Sequence, residues 1–253
     1  MSFMTLFRGV MGLLLILGIA VIFSNNRRRI SWRLVGMGIL IQLIFAVFII
    51  YSDKLSSWFA PLGWPKAIIS WLGGAVVSLL NFTNEGASFV FGRLATNSGT
   101  DSLGVFFAFQ VLPTIVFVAT LTSVLYYLGI LQKVVKGMAW LMSKLLGTSG
   151  AESLSNTANI FVGQTEAPLL IKPYIGTMTN SEILTIMVGG MATIAGGVMA
   201  AYIQMLGQAM AEVHQIALNE AQLRFAVQLL AASVMAAPAS LVIAKILYPE
   251  TGE

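Results

Sequence analysis

The chain contains no cysteine and one histidine, His214, in 253 residues. Without cysteine there is no disulfide, no thiolate nucleophile and no Cys-ligated metal or cluster. One histidine excludes a His-rich metal site and a pair of catalytic imidazoles. Charge is scarce as well: 9% of residues are Asp, Glu, Lys or Arg, against about 25% in an ordinary soluble domain. That is too few to cover the surface of a soluble fold of this size. These shortages exclude a soluble enzyme, a disordered tail and a nucleic-acid module. Apolar residues are abundant, at 57% with a mean hydropathy of +0.87. The expectation is an all-α polytopic membrane protein embedded in a lipid bilayer.

Five charge-poor stretches are long enough to cross a bilayer core, which takes about 20 helical residues: roughly 4–24, 34–52, 105–131, 183–209 and 225–246. The first carries only Arg8 on its N-terminal side, whereas Arg27, Arg28, Arg29 and Arg33 follow it. That is not the flank pattern of a cleavable signal peptide. By the positive-inside rule it leaves the N-terminus outside and the Arg cluster in the cytoplasm.

Residues 67–84 carry no charge and nearly suffice to cross. Their apolar residues Ile68, Ile69, Trp71, Leu72, Ala75, Val76, Leu79 and Leu80 fall in a helical stripe, with Ser70, Gly73, Gly74, Ser78 and Asn81 mostly opposite. This pattern predicts an amphipathic helix lying along the interface. Charge distribution agrees: with 67–84 flat, nine of the fourteen basic residues lie inside, and with 67–84 crossing only six do. The run Asn84-Glu85-Gly86 behind it reads as a C-cap and turn.

The apolar run 153–165, bounded by Glu152 and Glu166, is too short to cross. It breaks at Gly163 and Pro168, so 151–178 reads as a re-entrant helical hairpin with its tip near Gly163–Pro168. Non-helical backbone at membrane depth persists only where it is buried in protein or lines a wet cavity. The span 183–209 holds Gly189-Gly190 and Gly196-Gly197 around Thr193 and Ile194, glycine pairs that permit unwinding. A broken hairpin beside a broken span points to a secondary-transporter binding site.

Glu166 is the most informative side chain, because an ionisable group inside the membrane is costly unless solvated or paired. The plainer reading is that it ends a short helix among the headgroups. The adjoining Gln164 and Thr165 at a glycine turn favour recognition of a polar small molecule. Asn159 faces the same turn. With unwound carbonyls at Val162 and near Thr193 and Ile194 it offers oxygens for a small hard cation; the equal alternative is that Asn156 and Asn159 only bond a neighbouring helix. His214 reads as a solvated loop residue. No Gly-rich phosphate loop, nucleophile elbow or paired acidic metal motif is present.

Four segments in order, NEGASFVFG (84–92), NIFVGQTEAPLLIKPY (159–174), MATIAGGVMAAY (191–202) and MAAPASLVIAKILYPET (235–251), resemble the concentrative nucleoside transporter family. The resemblance covers essentially the whole chain. It implies a sodium-coupled nucleoside symporter of the inner membrane, working as a homotrimer by elevator-like alternating access. It also implies no enzymatic activity and no cofactor beyond Na+ as coupling ion. By the same resemblance the nucleobase meets Gly163, Gln164, Thr165 and Glu166, with Val198 beside them. Sodium lies at Asn159, Val162, Thr193 and Ile194. Thr193 keeps the hydroxyl of the serine found in some members, and Asn159 favours sodium over protons.

The family continues past the YPE segment with a second hairpin and the helices that hold the ribose. The expectation is therefore a scaffold over 1–104 and a first transport repeat over 105–253, with the second repeat outside this chain and a trimer only if it is supplied. The alternative is a non-transporting truncated or assembly-partner protein of the same family. An intramembrane enzyme using Glu166 as general base is the weakest reading, because no nucleophile–base pair accompanies it.

Overall fold

A computed structural model describes residues 3–52, 63–95 and 106–251, and among them only helices, turns and loops occur. The expected boundary between 104 and 105 lies outside the described residues. The helices are α1 (Phe3–Ile22), α2 (Trp32–Ile50), α3 (Trp64–Phe91), α4 (Phe107–Gln110), α5 (Leu112–Tyr127), α6 (Ile130–Leu146), α7 (Gly150–Ala158), α8 (Asn180–Ala192), α9 (Gly196–His214) and α10 (Leu218–Leu247). Five stretches are long and apolar enough to cross a membrane: 32–50, 64–95, 107–127, 180–214 and 218–247. The all-α polytopic expectation holds, and α1 supplies a further apolar helix of 20 residues.

α10 is the central pillar, packed by α1, α2, α3, α8 and α9. Close approach depends on small residues, as is usual where lipid removes the hydrophobic drive between helices. A Cβ on Gly38 of α2 would collide with the Val242 side chain of α10. Two of the apolar clusters sit around this pillar. Leu34, Val35 and Ala20 meet Leu241, Val242 and Ile246 near its C-terminal end. Leu80 meets Met199, Ala200, Ile203 and Ala226 nearer its start.

Three expectations about helix extent are corrected. The helix foreseen over 67–84 runs from Trp64 to Phe91, 28 residues, about 42 Å at 1.5 Å per residue. Its length is therefore sufficient to cross, and the argument for a flat helix rests on charge distribution alone. Its buried stripe is also rotated from the foreseen one. Ile69, Gly73, Val77, Leu80, Thr83 and Ala87 are buried, while Ile68 and Trp71 are exposed. The reason is Gly73, whose missing side chain lets α10 approach through Leu223, Ala226 and Val227.

Second, Asn84-Glu85-Gly86 lies inside this helix and does not cap it; the chain turns at Gly92, with φ +56°. Asn84 instead accepts a hydrogen bond from Gln204 Nε2 of α9 at 3.0 Å. Third, the stretch 105–131 is not one helix. It breaks at Val111 and ends at Gly129 in the left-handed conformation, φ +75°. The amphipathic helix α6 follows and was not foreseen. Its Val135 and Ala139 are buried, and it closes at Gly147, φ +70°. His214 is the last residue of α9 rather than a mid-loop residue, and it is exposed.

Candidate functional site

The foreseen hairpin is present. Its first arm is α7, started by a capping box in which Ser149 Oγ accepts from the Glu152 amide while Glu152 Oε1 accepts from the Ser149 amide. Helix ends at Ala158, Asn159 is its C-cap, and 159–166 form the turn. The second arm is a 3-10 helix, Ala167–Thr177. Eleven residues are long for this geometry, normally limited to 3–4 residues. Pro173, inside the arm, lacks the N–H group an α-helix would use there. The Gly163 carbonyl accepts from the amides of Glu166 and Ala167 at 3.1 and 3.0 Å, tightening the tip.

The foreseen break is also present. α8 stops at Ala192, Thr193 is extended (φ −101°, ψ 158°), and α9 resumes at Gly196. Hairpin and break are joined directly, because the Gly196 amide donates to the Phe161 carbonyl at 3.2 Å. The glycine pairs owe their place to contact as much as to flexibility. A Cβ on Gly189 would strike Asn156 Oδ1, one on Gly190 would lie 3.0 Å from Gln164 Cβ, and one on Gly196 would lie 2.8 Å from the Phe161 carbonyl.

Between these elements and α5 opens a cavity of about 580 Å³, within the roughly 300–1,000 Å³ of small-molecule sites. Gly163, Gln164, Thr165, Glu166, Val162, Thr193, Ile194 and Val198 all line it. Gln164, Thr165 and Glu166 are exposed, so the carboxylate meets the open cavity rather than a buried partner. Thr122, Ser123 and Tyr202 line it too and were not foreseen. No sequence signal separated them from other polar residues on apolar helices.

Asn159 does not line the cavity. It is buried just behind the tip, and neither its side-chain oxygen nor its nitrogen has a hydrogen-bond partner. Asn156 behaves oppositely. Its Nδ2 donates to the Ala237 carbonyl at 2.9 Å and lies 3.0 Å from Ser240 Oγ, which in turn reaches Asn156 Oδ1 at 3.1 Å. Asn156 therefore ties the hairpin to α10, while Asn159, the asparagine expected to face a cation, has no hydrogen-bond partner. An unpaired buried amide is costly; a hard cation would satisfy the side-chain oxygen, while the Nδ2 donor would still need an acceptor. Thr193 fits as a neighbouring donor set: its hydroxyl donates to the Gly189 carbonyl at 2.9 Å, which leaves its lone pairs free. Among the described residues no group of three or more His, Asp or Glu that could hold a metal ion exists.

Comparison with known proteins bears directly on this arrangement. Residues 11–94 match a family model described as the N-terminus of Na+ dependent nucleoside transporters, and residues 108–209 match a nucleoside recognition domain. An uncharacterized transporter of Haemophilus influenzae is 44% identical over 248 residues, 98% of this chain and 52% of that protein. Rat sodium/nucleoside cotransporter 1 is 42% identical over 231 residues, 91% of this chain and 30% of that protein. A solved structure of CNTnw in an inward-facing substrate-bound state superposes with a TM-score of 0.82 at 36% identity, covering 100% of this chain and 54% of the other. The chain belongs to the concentrative nucleoside transporter family. It is accordingly a multi-pass membrane protein of a transporter family rather than of an enzyme family. It spans about half the length of the H. influenzae relative and of the solved structure, and less than a third of the rat one.

Two polar clusters escaped the sequence reading. Gln204 on α9 accepts from Thr114 Oγ1 at 2.8 Å and donates to Asn84 and to the Gln110 carbonyl, both at 3.0 Å. The second lies at the far end of α7. Lys245 Nζ stands 2.9 Å from Glu152 Oε2 and 3.0 Å from Glu250 Oε2, and it donates to Ser181 Oγ at 3.1 Å. Burial raises the Glu250 carboxyl pKa, but the hydrogen bond and charge of Lys245, with Thr179 and Ser181, outweigh it and hold the group below its usual value. The signals were legible: Ser-x-x-Glu at 149–152 and Thr-x-x-Glu at 179–182 are capping boxes.

Proposed function

We propose that this chain carries the nucleobase and sodium side of a sodium-coupled nucleoside symporter that takes nucleosides up across the cytoplasmic membrane, N-terminus outside. The observation that carries the reading is Asn159, a buried amide with no protein partner directly behind the tip that lines the cavity. In this reading Asn159, the Val162 carbonyl, Thr193 and Ile194 hold sodium. Gly163, Gln164, Thr165 and Glu166, with Val198, meet the base.

The geometry supports a route for coupling in this reading. The Gly196–Phe161 hydrogen bond makes the hairpin turn and the α8–α9 break one unit. A cation bound to that unit orders the backbone from which Gln164, Thr165 and Glu166 project. Sodium then raises nucleoside affinity, and by linkage nucleoside raises sodium affinity by the same factor. The ribose side and the homotrimer belong to the rest of such a transporter, with residues 1–104 as scaffold and 105–253 as the first transport repeat.

Glu166→Gln in the assembled protein tests the substrate role. Uptake of labelled uridine should fall at least about tenfold, the loss of one charge-assisted hydrogen bond, while membrane insertion is unchanged. Unaltered uptake would remove Glu166 from the site. Proteoliposomes containing this chain alone test the alternative: no uptake by well-inserted protein marks a non-transporting part that needs its complement.

A further inference from the structure

The site is assembled from the far ends of α7 and α8. About 10 Å of helix separates Glu152 from Asn159, and about 18 Å separates Ser181 from Thr193, at 1.5 Å per residue. The near ends of the same two helices meet at one ammonium. Lys245 Nζ, in the last turn of α10, contacts Glu152 of α7 at 2.9 Å, Ser181 of α8 at 3.1 Å and Glu250 of the YPE segment at 3.0 Å. The Lys245 and Glu152 side chains are 6% and 2% exposed. The contacts are reinforced on each side. Ser181 Oγ donates to the Tyr248 carbonyl at 2.7 Å, and Thr179 Oγ1, the N-cap of α8, donates to Glu250 at 3.1 Å. Glu152 caps α7 with its other oxygen.

We infer that Lys245 is a positioning residue for the candidate site, a buried ammonium that registers α7 against α8 and thereby sets where Asn159 and the tip stand relative to the Thr193 break. The inference rests on the site described above and adds to it a group that touches neither ion nor nucleoside. Apolar packing alone leaves this register free to slip, because α7 buries mainly polar residues: Glu152, Ser153, Ser155, Asn156 and Thr157. A fixed charge contact at one end and the Asn156–Ser240 bond in the middle replace the apolar interdigitation that α7 lacks.

Amide hydrogen exchange of the full chain in lipid nanodiscs, without ligand, tests this. Lys245→Met leaves Glu152 buried and unpaired, so both stability and register should suffer. In Glu152→Gln/Lys245→Met no buried charge is left alone. The thermal midpoint should return toward wild type, while exchange across 159–166 and 193–196 stays at least about tenfold faster and exchange across 32–50 stays unchanged. Lys245→Arg keeps the charge and should keep slow exchange. A double variant that regains slow exchange together with stability would overturn the inference, because Lys245 then only neutralises a carboxylate. A double variant that fails to fold would overturn it too, by making the network a requirement of the fold. Sodium added to the wild type reports on the other reading separately. If it leaves exchange at 159–166 unchanged, the sodium site fails while the register result stands.

Discussion

At the scale of single residues, two buried asparagines three positions apart have opposite surroundings. Asn156 and Asn159 lie on one short helix end, both buried, both with the same amide. One is satisfied by α10 and the other by nothing in the protein. Asn156→Ala removes the bonds to the Ala237 carbonyl and to Ser240 Oγ, so it should cost stability, about 1–3 kcal/mol, read as a lower thermal midpoint in detergent. Asn159→Ala deletes a group that has no protein partner, so it should leave the sodium-free midpoint within about 0.5 kcal/mol and reduce stabilisation by sodium. Equal losses for the two variants without sodium would mean that Asn159 is a packing residue. The spacing to Gly163 pointed to Asn159, but both asparagines stayed open to bonding a neighbouring helix, because which of them meets the Ala237–Ser240 segment around Pro238 is a long-range contact with no local signature.

At the scale of elements, what was legible followed from periodicity and from breakers. The hairpin over 151–178 and the interruption at Thr193–Ile194 were readable from Gly163, Pro168 and the two glycine pairs. The structure adds that Gly189 and Gly190 are places of contact. Gly190→Ala should push against Gln164 and raise the half-saturating sodium concentration without preventing insertion. An unchanged sodium response would show that the tip has room to move. α6 was missed because its apolar stripe abuts the preceding span without a polar gap, and only Gly129 divides them. α3 was foreseen too short because Gly86 looks like a terminator, although helix continues through it when Asn84 faces a partner across the bundle.

The YPE segment has an electrostatic role at this scale. Glu250 is held below its ordinary value, so its contribution to stability is present above the unfolded carboxylate pKa, about 4.5. That contribution is lost as pH falls through the lower folded value. The wild type should therefore exceed Glu250→Gln in thermal midpoint near neutral pH, and the difference should shrink as pH falls below about 4.5 and through the lower folded value. A constant difference down to pH 3 would show that the carboxylate charge is not what ties the segment down.

At the scale of the whole molecule, the polytopic all-α class was readable from the start, because a chain with 9% charge and 57% apolar residues has few other places to fold. The five stretches long and apolar enough to cross, however, take in 64–95 in place of the foreseen 4–24. The angle of α3 to the membrane is of another kind. Helix length admits crossing, and the distribution of Lys and Arg favours lying flat. The buried face of α3 meets α10, while Ile68, Trp71, Phe82 and Phe89 point outward. An outward face this apolar is suited to lipid or to protein beyond this chain. The cavity is likewise bounded by α5, the hairpin and the broken span, with no contribution from α1 or α2.

The central claim is that a cation held at Asn159 orders the hairpin tip that meets the nucleoside. Its most direct measurement is the sodium dependence of labelled uridine uptake into proteoliposomes by the assembled transporter, wild type against Asn159→Ala. The account predicts sodium-driven accumulation by the wild type, and a half-saturating sodium concentration at least about tenfold higher in the variant, a difference of about 1.4 kcal/mol. Accumulation indifferent to sodium in the wild type, or an identical sodium dependence in the two proteins, would contradict it.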